Sequence, residues 1–88
     1  LPPDAVLGYY RTAVGAELDL VAQVQGQTLA FEIKLSSAPK PARGFWQALQ
    51  DVKPDRTFVV APVERSYGLA DGVQVVGLAE LKAQITRG

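Results

Sequence analysis

Two stretches of alternating apolar and polar residues, 16–24 and 27–35, are separated only by Gln25 and Gly26. Alternation with a period of two is the pattern of a half-buried β-strand, and two such intervening residues suit a tight hairpin loop. Residues 16–35 are therefore predicted to form an antiparallel hairpin. This feature constrains the fold most, because a two-residue loop fixes the partner of every residue in both strands.

In this register the numbers of opposed residues sum to 51, so the cross-strand pairs follow directly from the sequence. Leu18 is predicted to face Ile33, and Leu20 to face Phe31. Because directly opposed residues share one side of a ribbon, these four side chains form one apolar face. A slip of one residue would turn charged side chains into the core, so the register is expected to be unique.

The other face of the hairpin is charged, with Asp19 opposite Glu32 and Glu17 opposite Lys34. Like charges directly opposed on a sheet are destabilising, and a divalent cation between Asp19 and Glu32 would relieve that repulsion. Glu17 and Lys34 are predicted to form an ion pair in the absence of metal. The alternative interpretation is an ordinary solvated face, in which the four charges have no further role.

The remaining sequence predicts a mixed α/β fold with the element order βββαββα and helices flanking the sheet. In the helix predicted at 42–52, Phe45 and Trp46 are expected to pack in the core rather than to stack on nucleic-acid bases. Residues 63–71 are predicted to be a loop. No linker divides the chain, so residues 1–88 are predicted to be a single domain. The other predicted elements are strands at 7–11, 57–61 and 73–76 and a helix at 78–85.

Composition narrows the chemistry that these residues can perform. The 88-residue chain contains no Cys and no His, which excludes a thiol nucleophile, a Ser-His-Asp triad and an ordinary zinc site. Any bound metal must be a hard cation held by oxygen atoms. A formal net charge of zero removes bulk attraction to nucleic acid or to anionic membranes, so such binding needs a local patch. No segment approaches the roughly 20 apolar residues that span a bilayer, so no membrane contact is expected. No signal-peptide pattern opens the sequence, and a cytoplasmic location is expected for that reason.

Asp19 and, thirteen positions later, Glu32-x-Lys34 resemble the signature of the PD-(D/E)xK nuclease superfamily. The sequence around these residues is similar to the C-terminal domain of unknown function found on many prokaryotic AAA-type ATPases. Three blocks carry this second resemblance: Tyr9-Tyr10-Arg11-Thr12, Gly15-Ala16-Glu17-Leu18-Asp19 and Phe31-Glu32-Ile33-Lys34-Leu35-Ser36-Ser37.

These resemblances imply a restriction-endonuclease-like sheet and a metal-dependent phosphodiester hydrolase. Asp19 and Glu32 would bind magnesium or manganese together with the Ile33 backbone carbonyl, and Lys34 would orient or activate the attacking water. Glu17, opposed to Lys34, completes the set of candidate catalytic residues.

The same resemblances imply partners for the domain. These are an upstream ATPase domain of the same chain, DNA and a second copy in a homodimer. The sequence has no glycine-rich phosphate-binding loop of the Walker type, so no ATP site is expected within it. The chain is interpreted as a C-terminal fragment of a longer ATPase. The rival interpretation is a non-catalytic interaction or dimerisation module that keeps the nuclease-like fold.

Overall fold

The computed structural model describes the backbone of residues 5–87 and the side chains of residues 5–84. Residues 5–87 form a mixed α/β fold with one six-stranded sheet and two helices. The strands lie in the order β1-β2-β3-β4-β6-β5, with β3, β4 and β6 mutually parallel and the other neighbours antiparallel. The elements are β1 Val6–Arg11, β2 Glu17–Val24, β3 Gln27–Ile33, α1 Arg43–Val52, β4 Arg56–Val60, β5 Tyr67–Ala70, β6 Val73–Val76 and α2 Leu78–Arg87.

The predicted element order is wrong by one strand, because β5 lies within the stretch expected to be a loop. It pairs with β6 across Asp71 and Gly72, and Gly72 has a φ of 74° in the left-handed region that hairpin turns require. The strand carries no regular apolar alternation, since it lies at the edge of the sheet and is held by backbone pairing. The Asp-Gly pair was the available signal in the sequence.

The predicted register of the central hairpin is confirmed from its loop outward. Leu20 pairs with Phe31, and the ladder continues to Val24 opposite Gln27. Gln25 and Gly26 adopt φ values of 51° and 81°, as a tight two-residue loop between twisted strands needs.

A bulge in β2 changes the predicted apolar face beyond this point. Gly8 of β1 opposes Val21 and Tyr10 opposes Leu18, so two residues of β2 lie opposite Tyr9 alone. The extra residue reverses the alternation of side chains. Leu18 therefore packs in the core on the α1 side of the sheet, whereas Leu20 packs on the α2 side. The expected four-residue face is wrong in a second respect as well, because Ile33 is 61% exposed.

Each face of the sheet is covered by one helix. Phe45 and Ala48 of α1 pack on Leu18 and Val59, and Leu81 of α2 belongs to the core on the opposite face. The expected packing role of Phe45 and Trp46 is confirmed, since Phe45 is buried and the two rings meet edge to face with centroids 4.9 Å apart. The helical spacing also predicts Ile85 on the same apolar side of α2 as Leu81, but the Ile85 side chain lies outside those that the structure describes.

Candidate functional site

The candidate site lies where β2 and β3 separate. Their ladder ends at Leu20 opposite Phe31, and β3 continues alongside β4 with Glu32 opposite Val59. Beyond the ladder, the Ile33 N–H donates to Asp19 Oδ2 at 2.9 Å. The Asp19 side chain thus satisfies a backbone donor that the departing strand leaves without a carbonyl, and this contact holds a carboxylate beside the end of β3.

Glu32 is the buried member of the site, with only 6% of its surface exposed. The Lys34 ammonium lies 3.5 Å from Glu32 Oε2. Glu32 Oε1 is buried without a hydrogen-bond partner among the described residues. A buried carboxylate oxygen without a hydrogen-bond donor is energetically costly and uncommon. A bound cation, or a proton on the carboxyl group, would lower that cost.

Electrostatics point in the same direction. Burial raises the pKa of Glu32 above its ordinary value, and the neighbouring Asp19 carboxylate raises it further. Lys34 opposes this shift but does not cancel it. A cation bound between Asp19 and Glu32 would favour the ionised form of both carboxyl groups.

The raised pKa of Glu32 predicts a pH-dependent effect of the Glu32→Gln substitution. A carboxyl group that binds its proton more tightly when folded stabilises the fold at low pH and loses that contribution as pH rises through its folded-state pKa. Glutamine has no such loss. The variant is therefore expected to gain stability relative to wild type as pH rises above the ordinary Glu value of 4.5. Urea denaturation from acidic to neutral pH measures this difference.

Glu17→Gln is the matched control for that experiment, because it removes a carboxylate from an exposed position on β2. If the stability curve of Glu32→Gln ran parallel to that of wild type across the range, the buried charge at Glu32 would carry no energetic cost and the prediction would be wrong.

The predicted ion pair between Glu17 and Lys34 is wrong. Glu17 pairs instead with Arg11, at 3.7 Å between Oε2 and Nε, on the exposed surface of β1 and β2. Lys34 pairs with Glu32. The cause is the strand separation. The residues of β2 before Leu20 pair with β1 and not with β3, and Glu17 lies directly opposite Arg11. The structure therefore brings Asp19, Glu32 and Lys34 together and places Glu17 in a different pair.

The residues present fit a metal site only in part. Two carboxylates lie near each other, and Glu32 Oε1 is an acceptor with no donor in the described part of the chain. No group of three Asp, Glu, His or Cys side chains suited to a metal occurs in the part of the chain that the structure describes. The Ile33 amide N–H contacts Asp19, whereas the role of the Ile33 carbonyl as a metal ligand stays a prediction. A hard cation here would need water, phosphate or a further protein ligand to complete its coordination.

Tyr10, Gln47 and Asp51 form a polar cluster near β1, and this grouping was not predicted from the sequence. Tyr10 donates its hydroxyl hydrogen to Asp51 Oδ2 at 2.9 Å, and Gln47 donates to Asp51 Oδ1 at 3.3 Å. The hydrogen bond to Asp51 raises the pKa of the Tyr10 hydroxyl. The cluster ties α1 to the edge of the sheet. Gln47 and Asp51 are four residues apart on one helix, which was the only local signal.

Comparison with known proteins gives the relationships of the chain. The family described as "Domain of unknown function (DUF4143)" matches residues 2–81. The uncharacterized proteins Mb2031c of Mycobacterium bovis and Rv2008c of Mycobacterium tuberculosis are each 40% identical over 70 residues, which is 80% of this chain. The matched segment spans only 16% of the length of either relative. No solved structure shows significant similarity. Neither described helix is long and apolar enough to cross a membrane. The chain belongs to the DUF4143 family.

Proposed function

We propose that this domain is a metal-dependent, nuclease-like module that acts on phosphodiesters as an accessory part of an AAA-type ATPase. The observation that carries the proposal is the buried Glu32 carboxylate beside Asp19 and Lys34, whose Oε1 has no donor among the residues that the structure describes. The resemblance of the Asp19 and Glu32-x-Lys34 pattern to the PD-(D/E)xK superfamily supports a restriction-endonuclease-like arrangement of this sheet.

Each residue has a role that its position supports. Asp19 and Glu32 would hold magnesium or manganese, which polarises a phosphoryl oxygen and lowers the pKa of bound water. Lys34 is half-buried, with its ammonium within reach of Glu32, where it can orient a water molecule and stabilise charge that develops on the phosphate. The Ile33 N–H keeps Asp19 from turning away into solvent.

Metal affinity is expected to be weak in the isolated domain. Asp19 and Glu32 supply few of the six or more oxygen ligands that a hard cation takes. A substrate phosphate supplies further oxygens, so binding of manganese and of DNA should reinforce each other.

The test is manganese titration calorimetry with and without a DNA oligonucleotide, combined with a cleavage assay. Wild type is expected to bind manganese more tightly with DNA present. Asp19→Asn and Glu32→Gln are expected to lose manganese binding, because each substitution removes a carboxylate charge. Lys34→Met is expected to retain manganese binding and to lose cleavage. Glu17→Gln, the control, should retain both because its carboxylate pairs with Arg11.

Absence of manganese binding under both conditions, with no cleavage by wild type, would contradict the proposal. The second candidate function, a non-catalytic interaction module, would then be favoured. A specific observation supports that candidate. Ile33, Leu35 and Leu78 are exposed by 61%, 93% and 73%, and they line one groove on the α2 side of the sheet. Large apolar side chains exposed together are typical of surfaces that bind other proteins.

A further inference from the structure

The outer edge of β1 has no strand partner among the residues that the structure describes. Within residues 5–87, β1 is the terminal strand of the sheet and pairs only with β2. Val6, Leu7 and Tyr9 are exposed by 63%, 55% and 72%. Natural edge strands are usually very short, or contain lysine or proline, and these features prevent pairing with another chain. Strand β1 contains no lysine and no proline, and its one charged side chain, Arg11, pairs with Glu17 of the same protomer, so the edge is weakly protected against strand addition.

The opposite edge of the sheet differs. Strand β5 has only four residues, whereas β1 has six. Short length is one of the devices that discourage pairing with another strand. The longer strand β1 therefore offers more backbone groups to a further strand than β5 does.

The backbone groups that β1 leaves free follow from the ladder. In the hairpin with a two-residue loop, Val24 and Gln27 close the ladder as a hydrogen-bonded pair, so Leu20 and Ala22 also bond to β3. The alternate residue Val21 therefore bonds toward β1 and pairs with Gly8. By the same alternation, Leu7 and Tyr9 direct their N–H and C=O groups away from the sheet.

Beyond the strand, the pattern continues consistently. The Thr12 N–H donates inward to the Ala16 carbonyl at 2.9 Å. Arg11, one residue earlier, therefore directs its backbone groups outward. The side chain of Arg11 pairs with Glu17 and lies 5.4 Å from the centre of the Tyr9 ring. Its charge is thus engaged within the same protomer and does not oppose a second strand.

We propose that β1 is a homodimerisation edge, at which β1 of a second copy of this chain adds antiparallel across a two-fold axis at Gly8. Leu7 then faces Tyr9 of the second copy, and the reverse pair is equivalent by symmetry. Each pair joins residues whose backbone groups point outward, so each exchanges two hydrogen bonds. Val6 faces Tyr10 of the second copy.

We infer a second copy of this chain as the partner because β1 is complementary to itself in this register. The register centred on Gly8 matches aliphatic with aromatic side chains, a pairing that stabilises sheets. It places no like charges opposite each other, because Arg11 faces Ala5 of the second copy. A shift by one residue would oppose an outward-facing backbone to an inward-facing one and would lose the hydrogen bonds. Isologous two-fold contact is also the commonest form of closed assembly.

Sedimentation equilibrium from micromolar to millimolar concentration tests the proposal. Wild type is expected to show a reversible monomer–dimer equilibrium. Leu7→Lys and, independently, Tyr9→Lys are expected to weaken dimerisation at least about tenfold, because each places two added charges in the symmetric contact. Val14→Lys is the control. Val14 is 88% exposed in the turn after β1 and lies outside the proposed contact.

Hydrogen exchange supplies a readout of the register. The Leu7 and Tyr9 amides are expected to become protected as concentration rises, whereas the Gly8 amide, bonded toward β2, should be protected at every concentration. A wild-type monomer at millimolar concentration would overturn the proposal. So would a dimer in which the Leu7 and Tyr9 amides exchange freely, or one that Val14→Lys weakens as much as Leu7→Lys does.

Discussion

The Gly44→Ala variant is expected to lose about 3 kcal/mol of folding free energy through overpacking. The atoms that the new methyl group would meet belong to the backbone, so no side chain can rotate to make room for it. Gly44 lies in the first turn of α1, where a Cβ atom would overlap the carbonyl oxygen of Gly15. Gly15 has a φ of 93° and forms the turn between β1 and β2. Both partners are backbone, so α1 must move away from the sheet and Phe45 must leave its buried position.

Gly68→Ala is the matched control, because a Cβ atom there meets nothing within 4 Å. Urea denaturation of both variants separates close backbone approach from the general effect of replacing glycine. Alanine normally favours a helix over glycine by about 1 kcal/mol, so propensity alone would make Gly44→Ala more stable than wild type. A stabilised Gly44→Ala variant would show that α1 does not approach Gly15 as closely as the structure indicates.

The Leu18→Ala variant is expected to lose about 3 kcal/mol, whereas Ile33→Ala should lose no more than about 0.5 kcal/mol. The two residues are opposed in the hairpin pattern, and the pattern alone predicts similar burial. Leu18 is 1% exposed among Phe45, Ala48 and Val59, so its truncation leaves a cavity. Ile33 is 61% exposed and keeps little apolar surface away from water.

Equilibrium denaturation of these two variants tests the β2 bulge directly. Leu20→Ala provides a reference, since Leu20 is half-buried on the α2 side. Costs for Leu18→Ala and Ile33→Ala that were equal within error would mean that both side chains share one face. That result would contradict the bulge in β2 and would favour a regular alternation of side chains along the strand.

Much of the fold could be predicted because its signals are local. The loop at Gln25 and Gly26 fixed the register of the central hairpin, and helical spacing located α1 with Phe45 in the core. The element order failed at β5, because an edge strand is held by backbone pairing and needs no alternating apolar residues. Asp19, Glu32 and Lys34 were singled out from the charged pattern of the hairpin, but all three lie beyond the part of the ladder whose register is confirmed.

Tertiary structure decided the partners of those charged residues. Glu17 was expected beside Lys34, but the residues of β2 before Leu20 pair with β1 and not with β3, so Glu17 meets Arg11. The same departure frees the Ile33 N–H for Asp19.

The sequence by itself determined the hairpin, its loop and the acidic and basic residues at its end, because tight turns and alternation are properties of neighbouring residues. The tertiary structure alone decided the bulge that moves Leu18 to the α1 side and the burial of Glu32 alongside β4. Both depend on a third strand or a helix distant in sequence, and the free energy of a bulge or a buried charge is set by what packs against it. The pKa of Glu32 is raised for that reason, since alternation along β3 does not reveal that its polar face is covered.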